Sequence, residues 1–207
     1  MWRISKKKLN IDSDEEEIIT YGAINLLQTI NSIFWVIIVG FFTGSLYEAF
    51  LFSITASILR KYSGGVHASS PMRCTIIGAV SSGFCGIFVN RIFYKSNISI
   101  VIAFCIFSMI ASLIIMIRNA PVDSLEKPID EPSKIIFKRK SIILIMIITI
   151  LIIIIIFINT KYYRDIYIKS IESIAIGILW QSFTLTKIGI GLLTQVDLGL
   201  KYIIERK

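Results

Sequence analysis

The sequence predicts an all-α, polytopic membrane protein, and three observations carry that expectation. Hydrophobic residues make up 55% of the 207 residues and the mean hydropathy is +0.74, well above the balance of a water-soluble domain. Several apolar runs approach or exceed the ~20 residues that a helical crossing needs. Basic residues gather in the short polar segments between those runs, where they hold helix ends at anionic headgroups and set orientation. That placement makes the net charge of +8 a membrane feature, with the lipid bilayer as a partner and no nucleic acid.

Along the chain, Ser13 followed by Glu16 forms a capping-box pattern, and Glu15 to Glu17 suit the positive end of a helix dipole, so a helix is expected to begin near Asp14. Ile18, Ile19, Ala23, Leu26, Leu27 and Ile30 are set against Thr20, Asn25, Gln28 and Asn31, the pattern of an amphipathic N-terminal helix able to lie along a membrane surface. No short apolar segment ending in small residues follows Lys6 to Lys8, so no cleavable signal peptide is expected. The apolar run then extends from Ile33 to Leu59, too long for one crossing, and Thr43-Gly44-Ser45 offers a turn near its middle.

Charge settles the remaining count. Basic clusters at 3–8, at Arg60, Lys61 and Arg73, at 118–140 and at 187–207 alternate with the sparser pairs Arg91 with Lys95 and Lys161 with Arg164. The richer clusters are expected to be cytoplasmic. Crossings at 75–90, 98–117, 142–158 and 166–186 satisfy that alternation and leave an even number before Arg60. Two, at 18–42 and 46–59, give about six transmembrane helices; four plus re-entrant or interfacial segments is the alternative. Cys74, Gly78, Ser82 and Gly86 recur every four residues and line one helix face, a pattern that allows close helix approach within one chain or in a homodimer. Gly40 and Gly44 form a weaker pair of the same kind. The expected organisation is one integral membrane domain over 1–207, with a cytoplasmic active-site loop at 60–74 and a Pro-rich and basic cytoplasmic loop at 119–140.

The segment "GGVHASSPMRC" holds the only histidine, His67, and Cys74. A cysteine protease needs a thiolate, a histidine to carry the proton and donors for the oxyanion. Ser70-Pro71 reads as an N-cap followed by proline at the first helical position, which puts Cys74 in a first turn where the dipole and neighbouring Arg73 favour a thiolate. Gly64 and Gly65 allow the loop to fold His67 back toward that turn. Free N–H groups of the turn are candidate oxyanion donors, with Ser69 or Ser70 as lesser ones. The bland alternative is a histidine and a cysteine placed together by accident. Cys85 and Cys105 lie inside apolar runs, so no disulfide framework is expected. One histidine and scattered carboxylates provide no metal site, and no cofactor is implied. Asp123 and Glu126 are the available orienters of His67, and Lys169 and Glu172, three apart, are expected to neutralise each other.

The run Arg60-Lys61-Tyr62-Ser63-Gly64-Gly65-Val66-His67-Ala68-Ser69-Ser70, with Cys74, resembles the signature of the accessory gene regulator B family, membrane endopeptidases that process quorum-sensing peptide precursors of Gram-positive bacteria. Ala120-Pro121 and Lys127-Pro128, followed by Lys138-Arg139-Lys140, are similar to the family's proline-containing segment and basic cluster. The resemblance covers essentially the whole chain. It implies a bacterial cell-membrane location, Cys74 as nucleophile, His67 as general base, and Arg60 and Gly65 as positions needed for processing. It also implies a short AgrD-type precursor with an amphipathic leader, a central signal segment and an acidic tail. Removal of the tail leaves an acyl-enzyme, from which an internal Cys or Ser closes a thiolactone or lactone ring. Lys138, Arg139 and Lys140 are positive-inside anchors by default and also suit the acidic tail. The competing class is a small peptide exporter with Asn25, Gln28, Asn31, Ser81 and Ser82 along its path, and a non-catalytic sensor is a third.

Overall fold

The computed structural model describes residues 13–66, 68–123 and 130–205. Their order is α1 (Ser13–Thr43), α2 (Leu46–Ser63), α3 (Pro71–Arg91), a 3-10 turn (Phe93–Lys95), α4 (Ile98–Asn119), α5 (Glu131–Tyr162), α6 (Asp165–Phe183) and α7 (Lys187–Glu205). The all-α expectation holds among these residues, whose one β-type pairing is an isolated bridge between Gly64 and Val122.

The amphipathic start and the first span are one continuous helix, α1, already helical at Ser13. It ends where the sequence offers a turn: Gly44 has φ +65°, and Ser45 N–H donates to the Gly40 carbonyl at 2.9 Å. Gly22–Thr43, Pro71–Lys95, Ile98–Asn119 and Glu131–Tyr162 are long and apolar enough to cross a membrane. A fifth crossing follows if α6 and α7, bent by 88° between them, count as one broken span. Six crossings do not emerge on length and composition, because α2 carries Glu48, Arg60 and Lys61 within 18 residues.

Helix α6 is the hub: Ile171, Ala175 and Ile178 are fully buried, and the helix packs on α2, α3, α4 and α5. Between helices in lipid, dispersion and close approach drive association, so small residues matter at the contacts. A Cβ on Gly177 would come 3.0 Å from the Phe52 carbonyl oxygen, and one on Gly86 would come 3.0 Å from the Ala49 Cβ. The small-residue face of α3 thus packs against α2 at Gly86, while a Cβ on Gly78 would meet nothing within 4 Å.

Lys169 forms its ion pair with Glu48 of α2 at 3.2 Å and sits 4.8 Å from the centroid of the Tyr94 ring. The expected neutralisation of Glu172 is replaced by that pair, because α2 brings a carboxylate across to Lys169. Glu172 is fully buried, and neither of its carboxylate oxygens has a hydrogen-bond partner among the described residues.

Helix α7 is absent from the sequence expectation, which treats 187–207 only as a basic cluster. Thr186 starts it by accepting from Gly189 N–H at 3.1 Å. Gly189, Leu193 and Asp197, spaced by four, form its buried stripe, while Ile188, Leu192, Val196 and Leu198 are exposed. If α6 crosses the bilayer, the 88° bend sets α7 near its plane, where such a helix is at home.

Candidate active site

Cys74 occupies the first turn of α3, as the Ser70-Pro71 pattern predicts, and its N–H donates to the Ser70 carbonyl at 3.0 Å. Ser70 is the extended N-cap residue, although its side chain makes no capping bond. The half-buried thiol side chain borders a cavity of about 210 Å³ whose walls include Arg60, Val66, Ala68, Trp180 and Leu193. Helices α2, α3, α6 and α7 therefore all contribute to the space in front of the cysteine.

The loop before Cys74 is held by backbone geometry that glycine permits. Gly64 has φ +71° and Gly65 φ +134°, and a Cβ on Gly64 would lie 2.2 Å from the Val122 carbonyl oxygen. Val122 N–H donates to the Ser63 carbonyl at 2.9 Å, and Gly65 N–H returns a bond to the Val122 carbonyl at 3.3 Å. Gln181 Nε2 adds bonds to Ser63 Oγ at 2.9 Å and to the Gly64 carbonyl at 3.0 Å. The two segments singled out in the sequence, 60–74 and the start of 119–140, thus meet. The peptide bond between Ala120 and Pro121 in the second is cis.

Arg60, in the last turn of α2, donates from Nη2 to the Val66 carbonyl and lies within electrostatic reach of Cys74. Burial pulls its guanidinium below the ordinary arginine value, while negative charge on Cys74 pushes it back up. Arg73, expected from sequence to assist the thiol, is otherwise engaged: its Nε lies 2.7 Å from Asp197 Oδ1. Arg60 therefore replaces Arg73 as the cation facing Cys74. A pair of opposite charges at that distance is close to neutral toward a third group.

Asp197 escaped the sequence reading. Its Oδ2 accepts from Ser69 N–H at 3.1 Å and from Ser69 Oγ–H at 2.7 Å, and Arg73 Nη2 donates to Ser69 Oγ at 2.6 Å. Both Asp197 and Arg73 are buried. Ser69 is thereby committed to holding the loop, which removes it as an oxyanion donor. The available signal was its place four residues after Leu193 on the inner stripe of an amphipathic segment.

His67 lies outside the described residues, as do Glu126, Lys127 and Pro128. Asp123 faces Lys134 at 3.5 Å. Lys138, Arg139 and Lys140, placed in a loop from sequence, lie inside α5. Asp130 caps that helix by accepting from Ser133 N–H at 3.2 Å, with Pro132 in the first turn, so it starts before the basic cluster. Lys140 Nζ lies 5.6 Å from the centroid of the Tyr62 ring, next to the end of α2, but none of the three basic residues lines the Cys74 cavity. No group of three or more metal-ligating side chains occurs among the described residues.

The arrangement offers a thiol at a helix start, a half-buried guanidinium within its electrostatic reach, and a cavity walled largely by uncharged side chains. Residues 2–185 match the accessory gene regulator B family. The chain is 38% identical over 192 residues to an AgrB-like protein of Clostridium perfringens strain SM101, covering 92% of this chain and 90% of that one. It is 37% identical over 194 residues to AgrB-like protein 2 of Clostridium perfringens strain 13, with the same coverage of 92% and 90%. No solved structure matches the chain.

Proposed function

The chain belongs to the accessory gene regulator B family, and from that premise we propose that it is a membrane cysteine endopeptidase that trims an AgrD-type precursor and promotes ring closure of the product. The observation that carries the proposal is Cys74 at the start of α3, bordering a cavity that it shares with Arg60 and with the loop on which His67 is threaded. In this scheme His67 takes the Cys74 proton and the thiolate attacks the scissile carbonyl carbon. The developing oxyanion is met by N–H groups of the first turn of α3, where Ser70 ends the loop. The C–N bond breaks, His67 returns the proton to the leaving amine, and the acidic tail departs as a free peptide.

The signal segment remains as a thioester on Cys74. An internal thiol or hydroxyl of that segment then attacks the same carbonyl carbon, loses its proton to His67 and releases Cys74, closing a thiolactone or a lactone. Exchange of one thioester for another is nearly balanced in energy, whereas water would discard the activated bond. A cavity that limits water therefore favours cyclisation. Arg60 supports the thiolate, Gly65 permits the loop path, and Lys138, Arg139 and Lys140 attract the acidic tail. In this scheme the site works at the cytoplasmic face of the bacterial cell membrane, a side that Arg60, Lys61 and Arg73 around the loop favour.

The test is tail release from the precursor by protein in lipid. Cys74→Ala and His67→Ala are expected to abolish it, whereas Cys85→Ala and Cys105→Ala retain it. Retention by Cys74→Ala would remove the proposal.

A further inference from the structure

A second cavity, of about 500 Å³, lies between α1 and α2. Ser32, Val36, Ser53 and Ser57 border both it and the Cys74 cavity, so the two adjoin along these residues. The walls are tied together beside the thiol, because Ser32 Oγ and Thr75 Oγ1 lie 3.2 Å apart and hydrogen-bond.

The lining of the α1–α2 part selects its occupant. Ile33, Phe50, Ile54 and Ile58 supply apolar wall, while the side chains of Gln28, Ser53 and Ser57 have no hydrogen-bond partner among the described residues. A lipid acyl chain in this groove would offer Gln28, Ser53 and Ser57 no hydrogen-bond partner, leaving the two serines only the carbonyls of their own helix. An extended polypeptide instead brings a peptide N–H and C=O at every residue, groups that themselves need partners at membrane depth. No charged side chain lines this part among the described residues, so an acidic segment finds no counter-charge there. The basic cluster that suits an acidic tail lies elsewhere, on α5 beside Tyr62.

We propose that the groove between α1 and α2 is the acyl-side subsite, in which the uncharged segment of the substrate preceding the bond attacked by Cys74 lies extended, with its backbone paired to Gln28, Ser53 and Ser57. The inference rests on the acyl-enzyme reading above. It assigns the two halves of the substrate to different places. The retained half follows α1 and α2 away from the cysteine, and the departing half leaves toward α5. It also gives the polar residues of α1 a task other than lining a transport path.

Site-directed photocrosslinking tests it. A p-benzoylphenylalanine at Phe50 samples the groove, one at Trp180 samples the Cys74 cavity, and one at the exposed Phe107 on α4 is the control. Each is placed in the full chain carrying Cys74→Ala, in lipid nanodiscs, with the synthetic AgrD-type precursor from the same genome. The expected result is attachment from Phe50 to residues preceding the cleaved bond, from Trp180 near that bond, and none from Phe107. Attachment from Trp180 with Phe50 reaching only lipid, or only the acidic tail, overturns the groove assignment and leaves the acyl-enzyme intact. No attachment from either position, together with no adduct on wild-type Cys74, overturns both. In kinetic form, Ser53→Asp is expected to raise KM about tenfold or more with kcat within about threefold, while Ser53→Thr stays near wild type. A loss confined to kcat would contradict a binding role.

Discussion

Arg73 Nε lies 2.7 Å from Asp197 Oδ1, an ion pair that joins the turn containing Cys74 to a helix 124 residues further along the chain. Through Ser69, the same carboxylate also holds the loop that enters this turn. Asp197 lies beyond residues 2–185, over which the family matches. The pair sits in a buried setting, where removing the carboxylate takes an acceptor from Arg73 Nε and from both donors of Ser69.

Asp197→Ala is accordingly expected to destabilise the protein by about 1–3 kcal/mol and to slow tail release. Asp197→Asn keeps the Ser69 bonds and should cost less. Arg73→Met combined with Asp197→Leu removes both charges and should recover only part of the stability, because the desolvation of the pair disappears with its attraction while the two Ser69 donors still lose their acceptor. Thermal unfolding in nanodiscs measures all of these. Equal stability of Asp197→Ala and wild type would show that the latch is idle.

Acidification probes the same carboxylate. Burial alone would raise Asp197, but the bonds from Ser69 and Arg73 outweigh it and hold the group below the usual carboxylate range. A carboxylate held low in the folded state contributes stability that is fully present above its unfolded value of about 3.9 and is lost as pH falls through the lower folded value. The latch should therefore be unaffected by this titration from about pH 7 to pH 5 and weaken only in stronger acid. Asp197→Asn should be less stable than wild type at neutral pH, with the gap closing in acid. A gap independent of pH would contradict the assignment.

Gly64→Ala should shift the loop, since the new methyl meets the Val122 carbonyl and an L residue is strained at φ +71°. A cost of at least about 1 kcal/mol and a changed Cys74 alkylation rate are expected. Val122→Ala is the contrast, because the contact uses only its backbone. Unchanged alkylation in Gly64→Ala would show that the Gly64–Val122 bridge does not place the thiol.

Replacing Lys138, Arg139 and Lys140 together by Gln should raise the precursor concentration needed for half-maximal cleavage. The effect should be larger at low salt than at high salt, because screening already removes part of the attraction at exposed positions. A salt-independent effect would assign these residues to anchoring α5.

How much of this was legible in the sequence depends on range. The turn at Gly44 and the start of α3 at Ser70-Pro71 follow from local chemistry, and both stand in the structure. The start of α5 was also local, but Asp130 and Pro132 were overshadowed by a proline-rich context that reads as loop. Partners set by tertiary packing were not legible. Lys169 has Glu172 one turn away yet pairs with Glu48, which no spacing rule relates to it. Arg73 adjoins Cys74 in sequence but is claimed by Asp197, leaving Arg60 to face the thiol. The meeting of Gly64 with Val122 joins two motifs whose association only the fold reveals.

The central claim is that Cys74 carries the trimmed precursor as a thioester before the ring closes. The most direct measurement uses a precursor whose internal Cys or Ser is replaced by Ala, which removes the acceptor and leaves the first step intact. Intact-mass analysis of the protein in lipid should then show a hydroxylamine-labile adduct on Cys74. The acidic tail should be released in a burst of about one equivalent, followed by slow turnover as water substitutes for the acceptor. Rapid, repeated turnover of that precursor with no adduct at any time would contradict the account and leave a simple hydrolase.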